Sequence, residues 1–253
     1  MKRCCNVNFG TSLRGYFCSM TSAPISYKRH RFPPQIIAHI VWLYHRFSLS
    51  LREVEEMLLE RGIALSYETI RRWGIKYGPA YVRRLPRKAP GNDDIWHLDE
   101  VVVTIQGKRH YLWRAVDQNG YILDEILQKR RNTKAAKRLL TRLLKKQGGA
   151  PKRMITAKLR SYGAAKRKVM PDVEHRSHKG LNNRAENSHL PLRKRERAMQ
   201  RFKSLGQLQR FVAVFSGLRN LFVRPRDKRS SIDTHLHRLN ALAQWKMAAM
   251  IDA

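Results

Sequence analysis

The chain has 253 residues, of which 52 are Lys or Arg and 19 are Asp or Glu, giving a formal charge of +33. Hydrophobic residues make up 42 % of it, enough for one large domain or for a medium domain with a small one attached. The positive excess favours a polyanionic partner, by default nucleic acid, and no apolar run of 18 residues predicts a membrane span.

Residues 1–26 are predicted to be a disordered extension. All three cysteines, Cys4, Cys5 and Cys18, lie in it, so neither a disulfide framework nor a zinc site is predicted in the body. The first 20 residues lack an apolar stretch of signal-peptide length, and Met20 is a candidate start. These features predict a cytoplasmic, reducing location.

Two amphipathic helices open the patterned part of the chain. Residues 33–46 carry apolar side chains at helical spacing. The next segment, "SLREVEEMLLERG", has an N-cap and capping box at Ser50 and Glu53 and a stop at Gly62.

A third helix is predicted from Tyr67 to about Lys76, with Ile70, Trp73 and Ile75 available for packing. Three helices with a tight turn before the third are typical of a helix-turn-helix domain, here residues 27–80. Its exposed face would present Tyr67, Glu68, Arg71, Arg72 and Lys76. The alternative is a small helical bundle with a solvated basic face.

Residues 81–94 mix Pro, Gly and basic residues, which predicts a linker. Residues 95–201 then show a three-stranded meander followed by helix, strand, helix, strand and helix. This α/β order is typical of a ribonuclease-H-like five-stranded mixed sheet with flanking helices. Residues 202–253 predict amphipathic C-terminal helices.

Acids are scarce in this chain, so each one is informative. Asp99 lies in the middle of a predicted central strand, where its side chain points away from that of Glu100. A buried carboxylate is costly unless it is paired or binds a metal, so Asp99 is either a metal ligand or a partner of a neighbour such as His97. Glu186 occupies position N3 of a predicted capping box that begins at Asn183, which is a structural alternative to catalysis.

From about residue 27 the chain resembles the bacterial DDE-type insertion-sequence transposases, most closely the insertion-sequence-six family. The matching segments, in order, are "FPPQIIAHIVWLY", "SLREVEEMLLERGI", "SYETIRRW", "WHLDEV", "YLWRAVD", "RRNTKAAKRLL", "SYGAAKR", "VEHRSHKGLNNRAEN" and "LRKRER". The resemblance implies a helix-turn-helix that reads terminal inverted repeats and a catalytic domain that joins DNA strands. It also implies two Mg²⁺ or Mn²⁺ ions held by three carboxylates, and a homodimer or higher oligomer on double-stranded DNA, including target DNA.

At the matching positions the first acid is Asp99 and the last is Glu186. The second acid is expected in "ITDK", where this sequence has "ITAK", so Ala157 replaces it. The 28 residues between positions 157 and 186 are also fewer than is usual in the family. Such a substitution is typical of an engineered trap or of a decayed natural copy. Glu100, Asp117 and Asp172 are weak candidates to replace the missing ligand.

Basic residues near the predicted cleft would hold DNA phosphates, with a solvated charged face as the alternative. They are Lys158, Arg160, Arg184, Arg193, Lys194 and Arg195. The leading interpretation is a transposase impaired at one ligand, nucleoid-associated when bound to DNA. The alternatives are an inactive DNA-binding protein that acts as repressor or competitor at element ends, and an RNA-binding structural protein, which the α/β half disfavours.

Overall fold

The structure, a computed structural model, describes residues 24–89, 94–224 and 230–249. Most of the predicted extension, with its cysteines and Met20, and part of the predicted linker lie outside these ranges. Among the helices described, none combines the length and apolar character that crossing a bilayer requires.

In the described part of the chain, three helices precede the sheet and five are interleaved with it or follow it. They are α1 (Pro34–Arg46), α2 (Leu51–Leu59), α3 (Tyr67–Arg84), α4 (Thr133–Gln147), α5 (Arg160–Val169), α6 (Asn183–Ala198), α7 (Leu205–Leu221) and α8 (Ser231–Ala248). A short 3-10 turn, Lys179–Leu181, precedes α6.

One mixed sheet forms the centre of the molecule. Its strands are β1 (Ile95–Ile105), β2 (Lys108–Val116), β3 (Ile122–Gln128), β4 (Arg153–Thr156) and β5 (Glu174–Ser177). The order across the sheet is β3-β2-β1-β4-β5, with the meander antiparallel and with β1, β4 and β5 parallel to one another. This topology confirms the predicted ribonuclease-H-like fold and the central position of β1.

The two faces of the sheet bury different cores. On one face, Trp96 and Leu98 of β1 pack with α4 and α5, whose apolar stripe includes Leu139 and Leu140. On the other face, Val103 and further strand residues pack with α6, α7 and the N-terminal helices. Successive β1 side chains therefore face different helices, which separates Asp99 from Glu100.

The N-terminal helices begin as predicted, but α3 is longer than expected. The capping box of Ser50 and Glu53 is present in α2, and α3 continues past Lys76 and through Pro79 to Arg84. Packing explains the extra length, because a Cβ on Gly78 would lie only 3.1 Å from Val214 of α7. Close approach to α7 therefore outweighs the helix-breaking signals. The prediction that Ile75 packs inside is wrong, since it is 46 % exposed.

Residues from both ends of the chain share one core. The indole of Trp245 in α8 donates to the Ala38 carbonyl of α1 at 3.1 Å, and the Tyr27 hydroxyl donates to the Ala249 carbonyl at 2.8 Å. Residues 27–80 therefore pack against the described residues of 202–224 and 230–249, although the sequence separates them by the whole sheet.

Candidate active site

The parallel pairing of β1 with β4 brings position 157 next to Asp99. Leu98 is the register partner of Thr156, and the next residue on each strand is Asp99 and Ala157. Because parallel strands advance together, these two positions lie side by side where β4 ends. Position 157 therefore follows β4 at the level of Asp99, and it carries a methyl group where the family resemblance implies an acid.

The backbone at Ala157 is firmly held. Its carbonyl accepts from the Thr156 hydroxyl at 2.9 Å, the Ser177 hydroxyl at 3.2 Å and the Leu159 amide at 2.8 Å. The side chain is partly exposed.

Asn182 fixes the start of α6. This residue is fully buried, and its side-chain amide donates to the Leu98 carbonyl at 2.9 Å. It is also the helix N-cap, and its side chain makes no capping bond. The prediction of a capping box from Asn183 with Glu186 at N3 is therefore wrong: Glu186 occupies N4, and the polar side chain that could have capped the helix bonds to β1 instead. Glu186 is left partly exposed.

Burial and neighbouring charges raise the pKa of the Asp99 carboxyl group. Its pKa is raised from the ordinary 3.8 to about 7, chiefly by burial and then by the nearby charges of Glu100 and Glu186. A cation between such carboxylates would relieve their repulsion.

His189 of α6 lies next to Asp99. Its Nε2 lies 3.5 Å from Asp99 Oδ2, and the side chain is buried. Burial lowers the pKa of His189 well below 6.5, and Arg114 and Arg193 lower it further, so the imidazole is neutral and the contact is not an ion pair. Its position three residues after Glu186 puts both on one helix face.

A buried charged pair that sequence reasoning missed holds α6 to the sheet. Arg114 lies on β2, where its register partners are Asp99 of β1 and Glu125 of β3. Its guanidinium is fully buried, donates to Glu125 at 3.0 Å and donates to the Ser188 carbonyl of α6 at 2.6 Å. The signal was present, because Arg114 and Glu125 are charged residues that lie among apolar neighbours in β2 and β3.

The three weak candidates for the missing ligand either bond to other groups or lie at the surface. Glu100, on the opposite face of β1, accepts from Arg131 at 2.7 Å. Asp117 accepts from the Asn119 and Tyr121 amides, both at 2.8 Å, as expected of a turn residue. Asp172 is exposed in the turn after α5.

Comparison with known proteins identifies the family. A family profile described as a DDE domain matches residues 93–224. The transposase for the insertion sequence-like element IS431mec of Staphylococcus aureus is 34 % identical over 183 residues, which cover 70 % of this chain and 81 % of the relative. The chain belongs to the DDE-type insertion-sequence transposases of the insertion-sequence-six family. A second S. aureus transposase, for IS257 in transposon Tn4003, is 33 % identical over the same length.

Among solved structures, the catalytic core of HTLV-2 integrase in complex with magnesium shares 15 % identity with this transposase. The match covers 58 % of this chain and 99 % of that chain, with a TM-score of 0.41.

The residues of this transposase do not fit the two-metal site implied by the family resemblance. Within the described residues no three His, Cys, Asp or Glu side chains converge as metal ligands. Asp99 and Glu186 supply hard oxygen donors of the kind that Mg²⁺ prefers, whereas Ala157 supplies none. Two ions placed about 3.5–4 Å apart need a carboxylate that bridges them and others that hold each one.

The predicted DNA-contacting residues of the cleft differ in availability. Lys158 and Lys194 are exposed. Arg193 is held by the Val102 carbonyl at 2.5 Å and by Glu196 at 3.0 Å, and Arg184 lies against the turn at Gly120.

Arg195 corrects the sequence interpretation, because it is fully buried. Its guanidinium donates to the carbonyls of Tyr44, at 2.6 Å, and of Leu49, and lies 4.2 Å from the centre of the Tyr44 ring. It therefore joins α6 to the N-terminal helices.

The outer face of α3 carries the predicted recognition residues. Tyr67, Arg71, Arg72 and Lys76 are all exposed there. Glu68 accepts from Arg71 at 2.6 and 2.8 Å and from Arg72 at 3.2 Å, and these bonds lower the pKa of Glu68 to about 2. DNA would compete with this carboxylate for both guanidinium groups.

Proposed function

We propose that this transposase binds the terminal inverted repeats of an insertion sequence and is impaired in metal-dependent strand transfer. The observation that supports the proposal is the residue at position 157, where β4, the strand paired with β1, is followed by Ala instead of the acid that the family resemblance implies. Asp99 and Glu186 would be the remaining metal ligands and catalytic residues. A site with two acids gives one divalent ion weak support and cannot clamp both the attacking and the leaving oxygen.

DNA binding would use two surfaces that Ala157 leaves intact. The outer face of α3, with Arg71 and Arg72, would read the element ends. Lys158 and Lys194, exposed beside the cleft, would hold phosphates of the ends or of the target. The charge of +33 supports a polyanionic partner and predicts strong dependence of affinity on salt.

The test compares strand transfer by the chain as it stands with transfer by Ala157→Asp, each with Mg²⁺ or Mn²⁺ and labelled element ends. We expect transfer by Ala157→Asp and little or none by the parent, with equal end binding by both. The double variant Ala157→Asp, Glu186→Gln is the matched control, because it restores the second acid and removes the third. Asp172→Asn in the Ala157→Asp background controls for loss of an unrelated acid.

Equal transfer rates of the parent and Ala157→Asp would show that another acid supplies the second ligand. The same Ala157 also favours a second candidate function, an inactive DNA-binding protein that occupies element ends. That function predicts end binding, no transfer by the parent, and inhibition of an active relative acting on the same ends.

A further inference from the structure

A cavity of about 620 Å³ lies at the edge of the sheet, and neither Asp99 nor Glu186 lines it. The edge strand β3 ends there, α4 begins there, and the first turn of α7 also forms part of the wall. Small-molecule sites usually have volumes of about 300–1,000 Å³. The size of this cavity therefore suits a small molecule.

The wall of the cavity is rich in positive charge and, among the described residues that line it, contains no acid. Its cations are Lys129, Arg130, Lys134 and Arg138. Farther along α4, Arg142 and Lys146 both pair with Asp124, whereas none of the four cations forms an ion pair within the described part of the chain. Their charges are not neutralised by the protein, so the cavity favours an anion.

Two helix N-termini add to this positive potential. The side chain of Asn132 caps α4 and that of Ser204 caps α7, each by accepting from one backbone amide. The amides of Lys134 and Gly206, in the first turns of these helices, have no acceptor inside the helix. Both residues line the cavity, and Gly206 has no side chain to keep a ligand from its amide. Free amides at the positive end of a helix dipole are typical phosphate-binding groups.

A buried histidine supplies an observation that is independent of the charge. His110 of β2 lines the cavity and is only 7 % exposed, and its Nδ1 has no hydrogen-bond partner among the described residues. Buried polar atoms nearly always have a partner in native proteins, so an open one points to a group that is still to be bound. A ligand seated in the cavity would supply that partner.

We propose that this cavity binds a small phosphorylated molecule of nucleotide size. Four cations and two helix N-termini exceed what a single carboxylate requires and suit a ligand with two or more phosphate groups. Leu127, Ala135 and Leu205 add apolar wall, which would contact the organic part of the ligand. The proposal goes beyond the proposed function and does not depend on it, because the ligand is not DNA.

Isothermal titration calorimetry of the full chain with ADP tests the proposal without DNA or added metal. A salt concentration of about 150 mM screens diffuse attraction to the basic surface beyond about 8 Å. We expect saturable binding of one ADP per chain. Pyrophosphate should compete with ADP but bind at least tenfold more weakly, because it lacks the organic part. Adenosine should not bind measurably, because it lacks the phosphates.

Matched variants separate the cavity from the overall charge. The double variant Lys129→Gln, Lys134→Gln should weaken ADP binding at least tenfold. The control is Lys145→Gln, Lys168→Gln, which removes two exposed lysines outside the cavity and should change ADP affinity less than twofold. Gln209→Trp, at an exposed position of the wall, fills the cavity without removing charge and should also weaken binding at least tenfold. Unchanged thermal unfolding would show that the variants fold.

Three results would overturn the proposal. Equal losses in the two lysine pairs, or full ADP affinity in Gln209→Trp, would assign the binding to diffuse charge. Pyrophosphate that binds as tightly as ADP would show that the organic part makes no contact. A duplex of unrelated sequence that displaces ADP, and that itself loses tenfold in affinity when Lys129 and Lys134 are replaced, would assign the cavity to DNA phosphates.

Discussion

Replacing Asp99 by Asn should stabilise the metal-free protein, and more so as the pH rises. The pKa of Asp99 is raised to about 7 from an ordinary value of 3.8. Between these values the folded state binds more protons than the unfolded state, so stability falls as pH increases. Above pH 7 the folded protein carries the full cost of an ionised, poorly solvated carboxylate, and Asn does not ionise.

The size of the effect follows from the shift. About three pKa units at about 1.4 kcal/mol each give an upper limit of about 4 kcal/mol. The side chain retains 17 % exposure, and water reaching it reduces the cost, so we expect Asp99→Asn to gain about 2–4 kcal/mol at pH 8. At pH 4 the gain should be close to zero, because Asp99 is protonated in the folded protein.

Urea unfolding in EDTA at several pH values measures this difference, since a bound cation would offset the repulsion. Asp172→Asn, at an exposed acid, is the control and should change stability by less than about 0.5 kcal/mol at every pH. A gain from Asp99→Asn that is independent of pH would refute the assignment of Asp99 as a destabilised, late-ionising carboxylate.

Three further substitutions test other parts of the structure. Arg195→Met should cost about 2–4 kcal/mol in urea unfolding because it removes the donor to the buried Tyr44 carbonyl and to the partly buried Leu49 carbonyl, whereas exposed Arg197→Met should cost little. Asn182→Ala should cost about 1–3 kcal/mol by removing the donor to β1, and Asn182→Asp, which cannot donate, should be no better, as thermal unfolding would show. Glu68→Ala should free Arg71 and Arg72 and raise nonspecific DNA affinity several-fold at low salt, as measured in a filter-binding titration. Glu60→Ala is the control, because it loses a comparable exposed ion pair away from α3. Unchanged affinity for Glu68→Ala would remove that face from the DNA interface.

The sequence predicted the sheet because strands depend on local patterns: alternating and continuous apolar runs located each strand. The link between Asp99 and Ala157 came from the family resemblance, which expects the second acid in the segment that reads "ITAK" here. The extension of α3 through Pro79 was not predictable in this way, since contact with α7, far along the chain, decides it.

Long-range polar contacts explain the remaining errors. Arg195 and Tyr44 are 151 residues apart in sequence, and nothing local distinguishes a buried arginine from its exposed neighbours in "LRKRER". Asn182 and Asn183 are equally good N-caps by residue type. What distinguishes them is a long-range contact: the Asn182 side-chain amide donates to the Leu98 carbonyl of β1.

The core shared by the two ends of the chain limits how this protein can be recombined. A graft of α1 to α3 from a relative with different end specificity would bring foreign surfaces against Trp245, Val214 and Arg195. The grafted helices would pack properly only if α7, α8 and the contacting residues of α6 came from the same relative. The amino-terminal helices and the carboxyl-terminal helices therefore form one packing unit, and exchange of the amino-terminal helices alone would cost stability.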